Sequence, residues 1–208
     1  MLTIAIIPIK ELSKTKSRLS PYIDASERES LALNMLRRVI RAASGVVSQV
    51  WVMGTDMVAK KAALDEGAEW IEDMGMDVNQ SLNLAFRSVW KINKGALYLA
   101  GDLPFLTQQD LNGLIQSSSQ SGNNVISPAR YSGGTNALLL PKPSSFKMLL
   151  GPWSFHRHLA QARHLNLHFS IHYTQGIGFD LDTGDDLKVY SKMDPILLYN
   201  LQKGESLE

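Results

Sequence analysis

Two carboxylates near the C-terminal end of the chain are spaced to act together. They are Asp180 and Asp182, separated by one leucine in the segment GFDLDTGDDL (178–187). We predict a strand over 177–182, on which residues two apart point to the same face, so the two negative charges would repel each other. A divalent cation would offset that repulsion, and Asp102, at the end of another predicted strand, supplies a third acid.

The types of these acids suit Mg²⁺. In proteins Mg²⁺ takes one or two carboxylates and completes its shell with water and substrate phosphates. Asp102, Asp180 and Asp182 therefore predict a magnesium site. The D-x-D pair alone is a weak signal, because one carboxylate can simply solvate a turn and two carboxylates can also share a proton.

A basic loop follows the first predicted strand, in the segment PIKELSKTKSRLSP (8–21). Loops at strand ends hold polyphosphates well, with Ser17 and backbone amides as further donors. The segment contains neither a G-x-x-x-x-G-K-[ST] nor a G-x-G-x-x-G pattern, and a solvated charged loop is an equally good interpretation. Its basic residues are Lys10, Lys14, Lys16 and Arg18, opposed there by Glu11.

Two glycine-bearing turns could receive an anion. In GGTNALLL (133–140) the paired glycines let the backbone approach a ligand, and Thr135 and Asn136 offer a hydroxyl and an amide. In GPWSFHRHL (151–159), Ser154 is predicted to cap the start of a helix, where a free hydroxyl suits an anionic group. A plain turn and a purely structural cap are the alternatives.

The histidines do not predict a metal site. All five lie between positions 156 and 172, but His156 and His158 diverge on a predicted helix, and zinc needs three or four converging ligands.

The elements that must position these residues alternate between strands and helices. Apolar runs of strand length alternate with segments whose apolar residues repeat every three or four positions. This alternation predicts an α/β protein with a doubly wound, mostly parallel sheet that binds ligands at the carboxyl ends of its strands. The predicted strands are 3–9, 49–54, 68–73, 96–102, 124–128, 137–141 and 168–173, with the weaker 177–182; the predicted helices are 25–44, 56–66, 80–91, 108–118, 154–165 and 184–202.

Composition narrows the classes of function. With 208 residues, a single domain over 1–208 is the expectation. A net charge of +1 predicts no affinity for nucleic acid or membranes. The chain has no cysteine, which excludes disulfides and thiol nucleophiles, and it has neither a signal-peptide pattern nor a long apolar run, so a cytoplasmic protein is expected.

Taken in order, these segments resemble the 2-phospho-L-lactate guanylyltransferase family, which acts in the biosynthesis of the deazaflavin coenzyme F(420). The resemblance covers almost the whole chain and rests on an ordered set of motifs. It implies a Rossmann-like fold of the nucleotide-diphospho-sugar transferase type. The motifs are IPIKELSKTKSRLSP, SLNLAF, AGDLPFLT, GGTNALLL, GPWSFHRHL and DLDTGDDL.

The resemblance also implies roles for individual residues. Asp102, Asp180 and Asp182 match the family's metal-holding acids, and Lys16 and Asp102 are expected to act in catalysis. Residues expected to bind the nucleotide are Lys10, Lys16, Ser17, Arg18, Ser81 (where the family usually has Gly) and Asn83. Residues expected to bind the phosphorylated three-carbon acid are Thr135, Asn136, Gly151 and Ser154.

The implied reaction transfers GMP from GTP to 2-phospho-L-lactate with Mg²⁺ as cofactor, giving lactyl-2-diphospho-5′-guanosine and pyrophosphate. Phosphoenolpyruvate and 3-phosphoglycerate are alternative acceptors. A glycosyltransferase that uses Asp180 and Asp182 as its D-x-D pair, and a non-catalytic nucleotide-binding module, are alternatives of other classes. A homodimer is compatible with the sequence.

Overall fold

The computed structural model describes residues 2–73 and 77–203. Within them, the strands are β1 (Thr3–Pro8), β2 (Gln49–Gly54), β3 (Glu69–Glu72), β4 (Gly95–Leu99), β5 (Asn124–Pro128), β6 (Thr135–Leu140) and β7 (Phe169–Ile171). They form one seven-stranded sheet in the order β3-β2-β1-β4-β6-β5-β7. The predicted α/β class and mostly parallel sheet are confirmed.

One strand, β6, runs against its neighbours. It pairs antiparallel with β4 and with β5, whereas the other strand pairs are parallel. The short connection over 129–134 leaves no room for the crossover that a parallel pair would need. As a result, the first residues of β6 lie beside the carboxyl end of β4, where Ala100 N donates to Asn136 O at 2.8 Å.

Helices cover the sheet and begin at polar caps. Asp24 and Glu27 form a capping box at the first helix, and Thr107 with Asp110 and Thr183 with Asp186 form two further capping boxes. The helices of the described residues are α1 (Ala25–Ser44), α2 (Met57–Asp65), α3 (Val78–Lys91), α4 (Gln108–Ser121), α5 (Ser154–His164), α6 (Gln175–Gly178), α7 (Gly184–Met193) and α8 (Pro195–Lys203).

Two apolar clusters hold the elements together. The larger lies between the sheet and its helices and includes the four residues of β4 from Ala96 to Leu99. The smaller packs α7 and α8 against α1 through residues such as Met35, Leu181 and Leu198. Leu181 is fully buried there, a placement worth about 1.5–3 kcal/mol for a leucine side chain. The smaller cluster therefore fixes the backbone between Asp180 and Asp182.

The predicted strand over 177–182 is wrong. Thr174 caps a helical turn over Gln175–Gly178, and the following residues form no ladder with the sheet. The segment crosses the strand ends instead of running beside a strand, because one backbone hydrogen bond ties it to Arg130 and another ties it to Asp102. Gly178 O accepts from Arg130 N at 2.8 Å, and Leu181 N donates to Asp102 O at 3.1 Å.

Two other local predictions are also wrong. The predicted helix over 184–202 is two helices, because Pro195 disfavours helical geometry at Asp194, whose φ and ψ are −150° and 83°. Ser154 is not a helix cap: Trp153 takes the cap position in a left-handed conformation (φ 57°), and Ser154 is the first helical residue.

Across residues 2–73 and 77–203, no helix has both the length and the apolar character to cross a membrane.

Candidate active site

A cavity of about 870 Å³ opens at the carboxyl ends of β1 to β4. This is the edge at which open α/β sheets bind ligands. Its walls come from the loop after β1, the first turn of α3, the residues that follow β4, and the segment at Leu150 and Gly151. Asp182 closes one side.

The Lys16 ammonium lies at the centre of the charged wall, which comprises Lys16, Arg18, Asp102 and Asp182. Its Nζ donates to Asp102 Oδ2 at 2.5 Å and lies 3.7 Å from Asp182 Oδ1. Burial alone would lower the pKa of Lys16, but the charge and hydrogen bond of Asp102 outweigh it and raise the pKa. Lys16 is therefore a fixed positive charge at neutral pH.

The backbone aims Lys16 inward at some cost. Lys16 adopts a left-handed conformation (φ 51°, ψ 32°) between two short 3₁₀ turns, Leu12–Lys14 and Ser17–Leu19. Such a conformation costs a non-glycine residue about 1–2 kcal/mol. The first turn is tied down because Leu12 N donates to Asp56 Oδ2 at 2.9 Å. The ion pairs of the ammonium offset the backbone strain.

Arg18 and Asp182 form the outer part of the charged wall. Arg18 Nη1 donates to Asp182 Oδ2 at 2.8 Å, and the Arg18 side chain is 70% exposed. The Asp182 backbone is fixed by the first turn of α7, because its N–H donates to Asp186 Oδ2 at 3.1 Å. The backbone of Asp182 is therefore held in place, whereas the Arg18 side chain is largely open to solvent.

Asp180 lies deeper than its partner. Burial, and then the charge of Asp102, raise the pKa of Asp180 to about 6, against the opposing effect of Asn136. Asn136 Nδ2 donates to Asp180 Oδ1 at 3.2 Å and to Ile177 O at 2.8 Å. Asn136, predicted to contact the acid, is thus engaged in holding Asp180.

The charges around the cavity leave a place for a divalent cation. Of the described residues that line it, four are cationic and five carry carboxylates, so the walls bring no net positive charge to a polyphosphate. Asp102 and Asp182 offer the hard oxygens that Mg²⁺ prefers, and substrate phosphates would complete its shell. Within residues 2–73 and 77–203, no group of three or more acids, histidines or cysteines is preassembled to hold a metal ion.

The far wall contains a segment held between two helices, residues 147–150, which we call the strap. Each of its four backbone N–H groups donates to a side chain, alternately from α5 and α3. Asn79 Oδ1 accepts a hydrogen bond from Leu150 N at 2.5 Å, and Asn79 Nδ2 donates to Leu150 O at 3.3 Å. The other acceptors are Gln161 Oε1 for Lys147, Asn83 Oδ1 for Met148 and His158 Nε2 for Leu149.

Behind the strap lies a buried hydrogen-bonded chain of three side chains, Ser154, Thr135 and His158, which we call the hydroxyl chain. Thr135 Oγ1 lies 2.9 Å from His158 Nδ1, and Ser154 Oγ lies 3.3 Å from Thr135 Oγ1. Ser154 N donates to the carbonyl of Gly151, which lines the cavity. The chain therefore lies directly behind the cavity wall at Gly151.

Comparison with known proteins decides the family. The sequence model described as "Guanylyl transferase CofC like" matches residues 3–190. The chain belongs to this family of guanylyltransferases. It is 35% identical over 193 residues to a phosphoenolpyruvate guanylyltransferase of Chloroflexus aurantiacus, covering 89% of this chain and 92% of that one. It is 32% identical over 188 residues to a 2-phospho-L-lactate guanylyltransferase of Methanothermobacter thermautotrophicus, covering 90% and 83%.

Solved structures support the fold. A nucleotidyl transferase from Methanothermobacter thermautotrophicus superposes with a TM-score of 0.65 at 12% identity, covering 96% of this chain and 99% of that one. A cytidylyltransferase from Leptospira borgpetersenii superposes with a TM-score of 0.56 at 14% identity, covering 96% and 98%. At these identities the likeness concerns the fold alone.

In this guanylyltransferase, the residues predicted from the sequence divide into two groups. Those that line the cavity are Lys10, Lys16, Ser17, Arg18, Asp102, Gly151 and Asp182. Those that do not line it are Ser81, Asn83, Thr135, Asn136, Ser154 and Asp180. Asn83 accepts from Met148 N in the strap, and Ser154 N donates to Gly151 O. The side chains of Ser81, Thr135 and Asn136 bond to Asp73, Ser154 and Asp180, so these residues reach the cavity through neighbours in this structure. Their roles as ligand contacts stay predictions.

Ser81 illustrates the indirect contacts. Its hydroxyl donates to Asp73 Oδ1 at 2.8 Å, and Asp73 lines the cavity at the end of β3. Sequence reasoning missed Asp73, Asn79 and His158. Asp73 is the last residue of a predicted strand, as Asp102 is, so the same signal applied to the strand over 68–73 would have found it.

Proposed function

We propose that the enzyme transfers GMP from GTP to the phosphate of a phosphorylated three-carbon acid, releasing pyrophosphate. Phosphoenolpyruvate is the first candidate acceptor. The observation that carries the proposal is the charged wall: Lys16, Asp102 and Asp182 meet at the strand ends, beside a cavity large enough for a nucleotide and a small acid.

The relatives support the choice of acceptor. Several with 30–35% identity carry the name phosphoenolpyruvate guanylyltransferase. The relative named 2-phospho-L-lactate guanylyltransferase, at 32%, makes that acid the second candidate. The two acids share a carboxylate and a phosphate on neighbouring positions and differ by a double bond, so one pocket can receive either.

The chemistry needs no protein nucleophile. A phosphate monoester has a second pKa of about 6 and is mostly dianionic at neutral pH. One of its oxygens attacks the α-phosphorus of GTP, a new P–O bond forms, and the bond to the β-phosphate bridging oxygen breaks. The electron pair leaves with pyrophosphate. Catalysis then consists of holding two anions in line and neutralising the charge between them.

The charged wall can perform both tasks. Lys16 stays protonated because of Asp102, so it can donate to an α-phosphate oxygen where negative charge accumulates. Arg18 is exposed and can follow the leaving pyrophosphate. Asp102 and Asp182 would hold Mg²⁺, with Asp180 behind them, and the bound ion would neutralise phosphate charge.

The base of the nucleotide has a matching acceptor. Asp73 lies at the end of β3, and Ser81 holds one of its carboxylate oxygens by a 2.8 Å hydrogen bond. The other oxygen can accept from the N–H groups on the pairing edge of guanine. Adenine presents an acceptor at the equivalent ring nitrogen, so a carboxylate here favours GTP over ATP.

Other expectations accompany this function. We infer that residues 1–208 act as one catalytic domain and that the enzyme works in the cytoplasm, where GTP and small phosphorylated acids are available.

One assay tests the proposal. The purified enzyme is incubated with Mg²⁺, each of the four nucleoside triphosphates, and phosphoenolpyruvate, 2-phospho-L-lactate or 3-phosphoglycerate, and pyrophosphate is measured. We expect pyrophosphate only when GTP and a phospho-acid are both present. In a parallel reaction with a nucleotide sugar in place of the triphosphate, a glycosyltransferase would release a nucleoside diphosphate, and a binding module would release nothing in either reaction. Either result would overturn the proposal.

A further inference from the structure

His158 is a buried ionisable side chain with no part in the proposed phosphoryl chemistry. It is 1% exposed on α5, and its ring packs against Phe146 with 5.6 Å between ring centroids. Both ring nitrogens are engaged. Nε2 lies 2.9 Å from Leu149 N in the strap, and Nδ1 lies 2.9 Å from Thr135 Oγ1 in the hydroxyl chain.

These two contacts fix where the imidazole proton lies. A backbone N–H can only donate, so Leu149 N makes Nε2 an acceptor. Burial, and then the charge of Arg157, lower the pKa of His158 to about 4, so the ring is neutral at pH 7. Its single proton is therefore on Nδ1 and is donated to Thr135 Oγ1.

Counting hydrogens then shows what the hydroxyl chain can offer. The chain carries three polar hydrogens, on His158 Nδ1, Thr135 Oγ1 and Ser154 Oγ, and it contains two internal hydrogen bonds. The two bonds use two of the three hydrogens, so one hydroxyl hydrogen is left over for another acceptor. It is the Thr135 hydrogen if Ser154 donates to Thr135, and the Ser154 hydrogen if Thr135 donates to Ser154. Neither hydroxyl has another hydrogen-bond partner among the described residues.

The opposite tautomer would remove this donor. With the proton on Nε2, Nδ1 would accept from Thr135, Thr135 would accept from Ser154, and no hydroxyl hydrogen would remain. The leftover O–H thus depends on the contact between Leu149 and His158, on the side of the ring away from both hydroxyls.

The place of the hydroxyl chain suits a ligand at the cavity. Ser154 N donates to Gly151 O at 3.1 Å, and Gly151 lines the cavity with a positive φ of 120° that favours glycine. Thr135 keeps 5% of its surface exposed. An anion that binds beside Gly151 would therefore lie next to a residue that Ser154 contacts directly.

We propose that His158 is a positioning residue for the acceptor: by donating from Nδ1 to Thr135, it makes the Thr135–Ser154 pair present one O–H to an anionic oxygen of the phosphorylated acid. The proposal rests on the proposed function, because the acid is the ligand. A donor fixed in this way selects for an acceptor such as a phosphate or carboxylate oxygen and against a ligand group that can only donate.

Two substitutions separate the functions of the two ring nitrogens. In His158→Gln, the amide oxygen can replace Nε2 and accept from Leu149, but no donor replaces Nδ1. In His158→Asn, the shorter amide can place an N–H near the position of Nδ1 and donate to Thr135, while the bond to Leu149 is lost. His164→Gln, an exposed position on the same helix, is the matched control.

Steady-state kinetics with GTP and phosphoenolpyruvate give the main test. In His158→Gln the Thr135–Ser154 pair keeps one hydroxyl hydrogen for the ligand, but no Nδ1 donor fixes its direction. We expect this variant to raise the KM for phosphoenolpyruvate by severalfold to about tenfold, because the hydrogen bond to the acid is weakened, and to leave the KM for GTP unchanged. His158→Asn should recover most of that loss, and His164→Gln should match the unmodified enzyme. An unchanged acid KM in His158→Gln, or equal losses in both His158 variants, would overturn the proposal.

A double-mutant comparison distinguishes positioning from general damage. Thr135→Val removes the hydroxyl while keeping the shape. If His158 acts through Thr135, adding His158→Gln to Thr135→Val should raise the acid KM no further. An additional tenfold loss in the double variant would contradict the proposal.

A measurement without turnover keeps this inference separate from the proposed function. Nitrogen-15 NMR of the unmodified protein at pH 7 should show His158 protonated on Nδ1 and bare on Nε2. The opposite tautomer overturns the inference even if the enzyme makes pyrophosphate as proposed. If the expected tautomer is present but no phospho-acid supports turnover, the proposed function fails, and phosphoenolpyruvate binding by calorimetry to the unmodified protein and His158→Gln decides the inference.

Discussion

The charged wall and the hydroxyl chain are both proposed to contact anionic oxygens, but they are built from different groups. The wall uses formal charges that are partly open to the cavity: Arg18 is 70% exposed and Asp182 is 42% exposed. The hydroxyl chain uses neutral groups that are at most 5% exposed. A charged wall binds strongly and tolerates movement, whereas a chain of fixed hydrogen-bond directions binds weakly and selectively.

This difference matches the demands of the two proposed substrates. A nucleoside triphosphate presents several charges whose positions change during the reaction, so mobile charges and a metal ion suit it. A small acid differs from its competitors only in where its oxygens lie, so a donor in a fixed position suits it better. The predictions below test whether the two regions divide the work in this way.

The largest effect is expected from the charged wall. Asp102→Asn should lower kcat roughly 10²–10³-fold, because it removes a proposed metal ligand and the charged partner of Lys16. Asp185→Asn, an exposed acid of α7 paired with Lys188, is the control and should leave turnover unchanged. Circular dichroism should show both variants folded. Near-full Mg²⁺-dependent turnover in Asp102→Asn would show that the wall does not act through this acid.

The second effect assigns the wall to the nucleotide. Lys16→Ala should raise the KM for GTP by roughly ten- to a hundredfold and that for the acid much less, since it removes a hydrogen bond to a charged phosphate. Lys61→Ala, an exposed lysine on α2, is the control. A loss confined to the acid would reverse the assignment of the two regions.

The third effect concerns the stability of the hydroxyl chain. Burial lowers the folded-state pKa of His158 to about 4, below its unfolded value. The neutral ring therefore makes its full contribution to the free energy of unfolding above about pH 6.5, and this contribution is lost as the pH falls toward 4. The free energy of unfolding should therefore fall by about 2–3 kcal/mol more in the unmodified protein than in His158→Asn over this range. Urea titrations at each pH measure the free energy of unfolding of both proteins. If this free energy changes with pH by the same amount in the unmodified protein and in His158→Asn, His158 is not held neutral.

The smallest effect is expected at the base. Ser81→Ala removes the hydrogen bond by which the Ser81 hydroxyl holds Asp73. If this bond contributes about 1 kcal/mol to the position of the carboxylate, the preference for GTP over ATP should fall a few-fold. Ser88→Ala, on the same helix with its hydroxyl bonded only to Leu84 O, is the control. The measured quantity is the ratio of kcat/KM for the two nucleotides. An unchanged ratio would remove Ser81 from base recognition.

The sequence predicts the charged wall better than the hydroxyl chain, for a physical reason. Acids at the ends of apolar strands and a basic loop after β1 are local signals, and parallel strands bring their carboxyl ends to one edge. Lys16 and Asp102 meet there as a consequence. The strand over 177–182 was predicted wrongly because the segment looks apolar and alternating, whereas long-range bonds to Arg130 and Asp102 decide its course.

The hydroxyl chain depends on contacts that no local pattern carries. His158 meets Thr135 only because β6 runs antiparallel and brings its first residue to the edge next to α5. The strap meets His158 only because its N–H groups alternate between two helices. From the sequence, His158 was one of five closely spaced histidines, with nothing to distinguish it from exposed His164.

Isotope labelling tests the central claim most directly. Phosphoenolpyruvate carrying oxygen-18 in its non-bridging phosphate oxygens is incubated with GTP, Mg²⁺ and the enzyme, and the products are analysed by phosphorus-31 NMR and mass spectrometry. Attack by the acceptor phosphate on the α-phosphorus predicts a diphosphate-linked product with oxygen-18 in the bridge and unlabelled pyrophosphate. A product without label in the bridge, labelled pyrophosphate, or release of GDP would contradict the account.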